Sequence, residues 1–221
     1  MGIKLILRSW ILVGLAAASA AAASPDVRSL AQAVDAHYNH LRTLEAQFVE
    51  TYRGNGTNRT ESGTLWLKKP GKMRWEYRSP RQKLFLGDGK DAWFYIPGDR
   101  QVRRTSMHKL DDLRSPLSLL LGKTKLENEL QGLSLAPDAS STEPGNVVLQ
   151  GVPKRLGNQI AQVSLEITPS HQIARITIEE VDGSVTEYRF SDQREDLPVP
   201  DDRFSFSPPA GVEVIEGTLD Q

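Results

Sequence analysis

Apolar positions fall with two different periods along the chain. Val27, Leu30, Ala31, Val34, Tyr38 and Leu41 recur every three or four residues, as on a helix with one buried side. The spacing predicts a helix from about Asp26 to Leu44. His37 and His40 fall on or beside its polar side and read as solvated. After this helix the period drops to two. Ala46 and Phe48 open a strand. Leu65 and Leu67 alternate with Thr64, Trp66 and Lys68, and Met73, Trp75 and Tyr77 alternate with Lys72, Arg74 and Glu76. Asn55-Gly56, Asp88-Gly89 and Asp182-Gly183 mark tight hairpin turns. The runs at 84–86 and 92–96 are apolar on both sides, so this pair should be covered on both faces. Strand signals resume at Val147 and pass through 161–167, 174–178 and 186–190 to Phe204, Phe206, Val212 and Val214.

Between about Thr105 and Gly132 the helical period returns, with Leu110, Leu113, Leu117, Leu120 and Leu121 in phase. In "SPLSLLLG", Ser115 is a natural cap, Pro116 a natural first residue and Gly122 a stop. About ten or eleven short strands joined by short turns make an antiparallel sheet, and so many strands curl. Helices are the elements available to cover the concave side. The expected fold is therefore mainly β with α, a single curved antiparallel sheet with helices as a lid over an apolar cavity. Leu65, Leu67, Trp75, Leu84, Leu86 and Trp93 are its expected wall, and Leu117, Leu120 and Leu121 its roof. Taken singly, each of these residues also reads as plain core.

The chain ends and composition narrow the setting. Lys4 and Arg8 precede an apolar run from Ile11 to Ala18 and a small-residue stretch at 20–23. That pattern predicts a signal peptide over 1–23, a mature domain over 24–221 and export. There is no cysteine, so neither disulfides nor a cysteine-linked lipid is expected. Lys and Arg number 27 against 28 Asp and Glu, which argues against a nucleic-acid partner. The four histidines show no metal-ligand spacing, and no nucleophile elbow or paired catalytic carboxylates stand out. No enzyme, metal or cofactor is expected.

Three stretches carry a resemblance: "SGTLWLKKPGKMRWEY" (62–77), "LFLGDGKDAWFYIPGDRQV" (84–102) and "FSFSPPAGVEVIEG" (204–217). Together they resemble the periplasmic lipoprotein carrier (LolA) family, over nearly all of the expected mature chain. The resemblance implies an unclosed β-barrel and a monomer that takes acylated lipoproteins from an ATP-driven, ABC-type release complex of the inner membrane. It implies hand-over to an outer-membrane acceptor, across the periplasm. The same fold also implies a second reading, a lipid- or lipoprotein-sensing regulatory module. In the family, a basic residue before the turn proline, usually Arg, ties the barrel to the lid helices. Here it is Lys69, preceded by Lys68, and Lys69 is the expected latch.

Overall fold

The computed structural model describes residues 26–110, 120, 125–136 and 141–217. The expected leader and most of the 115–122 run, including Leu117 and Leu121, lie outside the described residues. Helix α1 spans Val27–His40. The Asp26 carboxylate accepts from the backbone N–H of Ser29 at 2.8 Å, filling one of the open donors of a helix start. Leu30, Ala31, Val34 and Tyr38 form its buried side. The helix ends at His40 rather than near Leu44. Leu41 already has an extended ψ of 136°, and β-branched Thr43 opens the first strand. The apolar spacing runs past the helix end because Leu41 and Leu44 remain in the same core.

The strands are β1 (Thr43–Gly54), β2 (Thr57–Lys68), β3 (Lys72–Ser79), β4 (Lys83–Asp88), β5 (Asp91–Tyr95), β6 (Gln101–Ser106), β7 (Leu130–Leu135), β8 (Val147–Pro153), β9 (Ile160–Ile167), β10 (Ile173–Glu180), β11 (Val185–Glu195) and β12 (Glu213–Glu216). Two one-turn helices, α2 (Met107–Leu110) and α3 (Leu126–Glu129), flank the central interruption. β6 and β7 carry no clear alternation in sequence. β6 has one apolar residue, Val102, among Gln, Arg and Thr, and β7 continues the leucine-rich helical spacing.

All twelve strands form one sheet, in the order β12-β6-β5-β4-β3-β2-β1-β11-β10-β9-β8-β7. β1 is central, and β12 and β7 are separate ends, so the sheet is unclosed. Neighbours are antiparallel, as the sequence pattern predicts, except β6 and β12, which run parallel. The chain reaches β12 by a long run after β11 rather than a tight turn, and a parallel pair needs such a crossover. That run lies on the outer face, where Val199 and Phe204 pack on Trp66, and Phe206 and Val212 pack on Leu86 and Trp93.

Candidate functional site

Cross-strand register decides which side chains meet. In β1 the even-numbered residues Leu44, Ala46, Phe48 and Glu50 are buried, while their odd neighbours are partly or fully exposed. Residues directly opposite in an antiparallel pair share a face. The inner face therefore continues through Leu67, Leu65, Gly63 and Glu61 of β2, Met73, Trp75 and Tyr77 of β3, and Gly87, Phe85 and Lys83 of β4. Beyond β1 it continues through Phe190 and Tyr188 of β11, Ile176 and Ile178 of β10, and Leu165 and Val163 of β9. One arm is rich in aromatics and the other is aliphatic. Trp75 sits between them, with ring centroids 4.8 Å from Phe48, 5.9 Å from Tyr188 and 6.3 Å from Phe190.

Helix α1 lies on this face. Its Leu30, Ala31, Val34 and Tyr38 join one buried cluster with Leu65, Trp75 and Leu165. Polar ties hold it at several points. Lys69 Nζ donates to the backbone carbonyl of Tyr38, in the last turn of α1. That carbonyl has no partner within its helix, and the helix dipole there favours a cation. Burial lowers the Lys69 pKa, opposed by nearby Asp196. The Tyr38 hydroxyl accepts from the Ile173 N–H at 2.8 Å. The Asp35 carboxylate accepts from the Leu126 N–H at 2.9 Å, which links α1 to α3. His37 Nε2 lies 2.9 Å from Glu195 Oε1 of β11, with its side chain only 20% exposed. The solvated reading of His37 is thus corrected, because the polar side of α1 meets the end of β11. With His40 and His171, His37 lines an open cleft of about 500 Å³. Among the described residues, no group of three His, Cys, Asp or Glu could hold a metal ion.

Leu65, Leu67 and Trp75 share the inner face, and Leu120, 2% exposed, joins their cluster. Leu84, Leu86 and Trp93 do not share it, and their assignment to the same wall is corrected. Leu86 pairs with Arg74 and Trp93, and Leu84 pairs with Tyr95, all on the opposite face. There they pack with Val102, Phe206 and Val212. Phe85 and Phe94, in register with Trp75, take the inner positions instead. Both faces of β4 and β5 are apolar, so alternation alone cannot say which face is inner. A one-residue offset in the connection at 79–83 reverses the answer. Gly87 and Ala92 are small inner residues, and Met107 fills the room. A Cβ on Gly87 would come within 2.8 Å of the Met107 sulfur.

The sequence reading also missed a set of buried charges. Lys83 Nζ donates to Glu61 Oε2 at 2.6 Å, and the Tyr77 hydroxyl donates to Glu50 Oε2 at 2.7 Å. Arg59 lies 3.3 Å from Glu61 and 3.8 Å from Glu50. Glu50, Glu61 and Lys83 are only 5%, 5% and 7% exposed. Burial raises the Glu50 pKa, partly offset by the Tyr77 hydrogen bond, and burial also raises that of Tyr77. The available signal was phase: Glu50 follows Phe48, and Glu61 precedes Leu65, at the parity of the apolar face. One further polar atom stands out on the inner face. Nε1 of Trp75 is buried and has no hydrogen-bond partner among the described residues.

Residues 39–207 match the family described as outer membrane lipoprotein carrier protein LolA. An outer-membrane lipoprotein carrier protein of Chromobacterium violaceum is 31% identical over 202 residues, covering 91% of this chain and 95% of its own. One of Nitrosospira multiformis is 31% identical over 181 residues, covering 80% of this chain and 83% of its own. Among solved structures, an uncharacterized conserved protein from Thermus thermophilus superposes with a TM-score of 0.51 at 11% identity, covering 86% of this chain and 98% of that one. This last likeness speaks for the fold alone.

Proposed function

From this chain's membership of the LolA family of outer membrane lipoprotein carrier proteins, we propose that it shields the acyl chains of lipoproteins between the inner face of its sheet and α1. It is a carrier of the LolA type, not an enzyme. In this reading it works in the periplasm. It receives cargo from an ATP-driven release complex of the inner membrane and delivers it to an outer-membrane acceptor.

The observation that carries the reading is the inner face itself, an apolar surface spanning both arms of the sheet and covered by a helix rather than by a second sheet. Each acyl methylene exposed to water costs about 0.8 kcal/mol, so a chain of about sixteen carbons costs on the order of ten. Such cargo needs a cover. It must also leave, and a cover that closes favourably on the empty hollow competes with the ligand. The Lys69 bond to Tyr38 suits that role, since it ties α1 to the β2–β3 turn without adding a strand. Trp75 Nε1 gives an acyl ester or amide carbonyl a donor inside an otherwise apolar space.

The test is binding of an environment-sensitive fatty-acid probe to the mature protein, with displacement by an acylated peptide. Mass spectrometry of co-purified material runs beside it. Displacement and co-purifying acylated polypeptide support the carrier. Free lipid with a stable membrane-protein partner points instead to a regulatory module. Absence of binding by well-folded protein overturns both.

A further inference from the structure

The inner face is not apolar from end to end. Along β1 it runs Leu44, Ala46, Phe48, Glu50, from the Lys69 end to the opposite mouth. The seven residues from Leu44 to Glu50 span about 20 Å, close to the length of an extended long-chain acyl group. At the far end the aromatics give way to charge. Phe48 and Tyr77 meet edge to face, with centroids 4.9 Å apart, flanking Gly63, which faces both in register. Lys83 stands in register with Tyr77, and the next residues along the same face are Glu50 and Glu61.

These charges satisfy one another. Lys83 bonds Glu61, Tyr77 bonds Glu50, and half-exposed Arg59 pairs with both carboxylates from the solvent side. Lys83 Nζ also stands 4.6 Å from the centre of the Tyr77 ring. A set so closed offers little to a ligand's polar group. It does resist a hydrocarbon chain. For a methyl end to pass, an ion pair must separate, and leaving one buried charge unpaired is strongly destabilising. We propose that the Glu50–Tyr77–Glu61–Lys83 network is the floor of the acyl-binding hollow. It sets the longest acyl chain the protein takes up in full. The inference rests on the carrier reading above and adds a specificity determinant to it.

The test is a chain-length series. Saturated fatty acids of increasing length displace the fluorescent probe from wild type and from the double variant Glu61→Leu with Lys83→Met. Exchanging a buried ion pair for apolar side chains of similar size is often neutral or stabilising, and Arg59 keeps its partner in Glu50. Affinity should rise about fourfold per added methylene while each is buried, then level off where the chain meets the floor. In wild type the plateau should come near the length of the strand span. In the double variant it should move to chains at least two carbons longer, with about a tenfold gain for those chains. Plateaus at the same length in both proteins overturn the floor and leave the carrier reading standing. Absence of length-dependent binding in wild type overturns the carrier reading itself. A second measurement needs no variant. A fatty acid with a photoreactive group at its terminal carbon should label wild type within 48–50, 59–63 or 77–83. Labelling confined to the Lys69 end places the methyl terminus elsewhere and overturns the proposal, even if the double variant does not fold.

Discussion

Lys68 and Lys69 are neighbours in sequence, yet they hold opposite sides of the sheet. Lys68 Nζ reaches outward, 2.6 Å from the Val199 carbonyl and 2.9 Å from Asp201. It fastens the segment that crosses the outer face. Lys69 Nζ reaches inward to the Tyr38 carbonyl and fastens α1. The two covers differ in kind. The outer one ends as β12, hydrogen-bonded to β6, and is bound further by Arg74 to the Arg203 carbonyl at 2.9 Å and by Arg203 over the Trp66 ring. The inner one adds no strand. It rests on apolar contact and a handful of side-chain ties. Equal burial on the two faces therefore does not mean equal role. The outer face is sealed by a segment that joins the sheet, whereas the inner face is covered by a helix that does not.

The comparison breaks most readily at Trp93. It is 8% exposed on the outer face, with its ring 5.5 Å from Phe206 and Arg104 over it at 5.3 Å. Trp93→Ala should cost about 3–5 kcal/mol of stability, read as a lowered urea midpoint. The protein that remains folded should bind the fatty-acid probe as wild type does. Lost affinity without lost stability would return Trp93 to the acyl-binding wall.

Leu120 tests the inner face in the opposite sense. It is as buried as Trp75 and joins the same cluster, but it lies in no strand of the sheet. Leu120→Glu should weaken probe binding at least tenfold, because a carboxylate cannot stay unpaired in this apolar cluster. It should cost little in melting temperature if the side chain at 120 can turn out to water. Collapse of melting and binding together would make Leu120 ordinary core.

Sequence pattern carried the fold further than the site. The hairpin turns were legible because Asn55, Gly56, Gly89 and Gly183 occupy positive φ, which few residue types accept. The aromatic arm was legible where one face was polar, as in β3, whose buried Met73, Trp75 and Tyr77 alternate with Lys72, Arg74 and Glu76. It failed in β4 and β5, where both faces are apolar and only the register to β3 distinguishes Phe85 from Leu84 and Leu86. The buried charges failed for another reason. Glu50, Glu61 and Lys83 are far apart in sequence, and a lone charge on a strand reads as solvated until its partner is known. Lys69 was singled out through family resemblance. Its partner on α1 was not, because helix-to-turn contact is tertiary information.

Lys69→Leu should have a smaller effect than either substitution above. Removing one hydrogen bond from a charged donor costs about 1–3 kcal/mol, and only the closure of α1 should feel it. Labels placed at the β2–β3 turn and on α1 should report about a tenfold shift toward separation in the empty protein. The melting temperature should stay near wild type, and release of cargo to acceptor membranes should slow. Lys69→Arg should keep α1 in place. An unchanged label distance in Lys69→Leu would leave the remaining ties, Asp35 to Leu126 and Tyr38 to Ile173, as sufficient to hold the helix.

The smallest expected effect is on the outer side of the same turn. Asp201 accepts hydrogen bonds from Lys72 and Lys68, which hold its pKa down to about 2 from 3.8. A carboxylate with a depressed folded pKa stabilises the fold above its unfolded value, and that contribution fades as pH falls through the folded one. Asp201 is exposed, so screening keeps the effect small at neutral pH. Asp201→Asn should thus differ slightly from wild type in urea midpoint above about pH 4, and the two curves should converge as pH approaches 2. Every other carboxylate is common to both proteins and cancels in the difference. Probe affinity should not change at any pH where both are folded, because Lys69 still holds α1. If Asp201→Asn instead loosens α1 as much as Lys69→Leu does, the two lysines act as one unit. Strain on the outer segment would then pass through the turn to the helix, and the two covers could not be treated as independent.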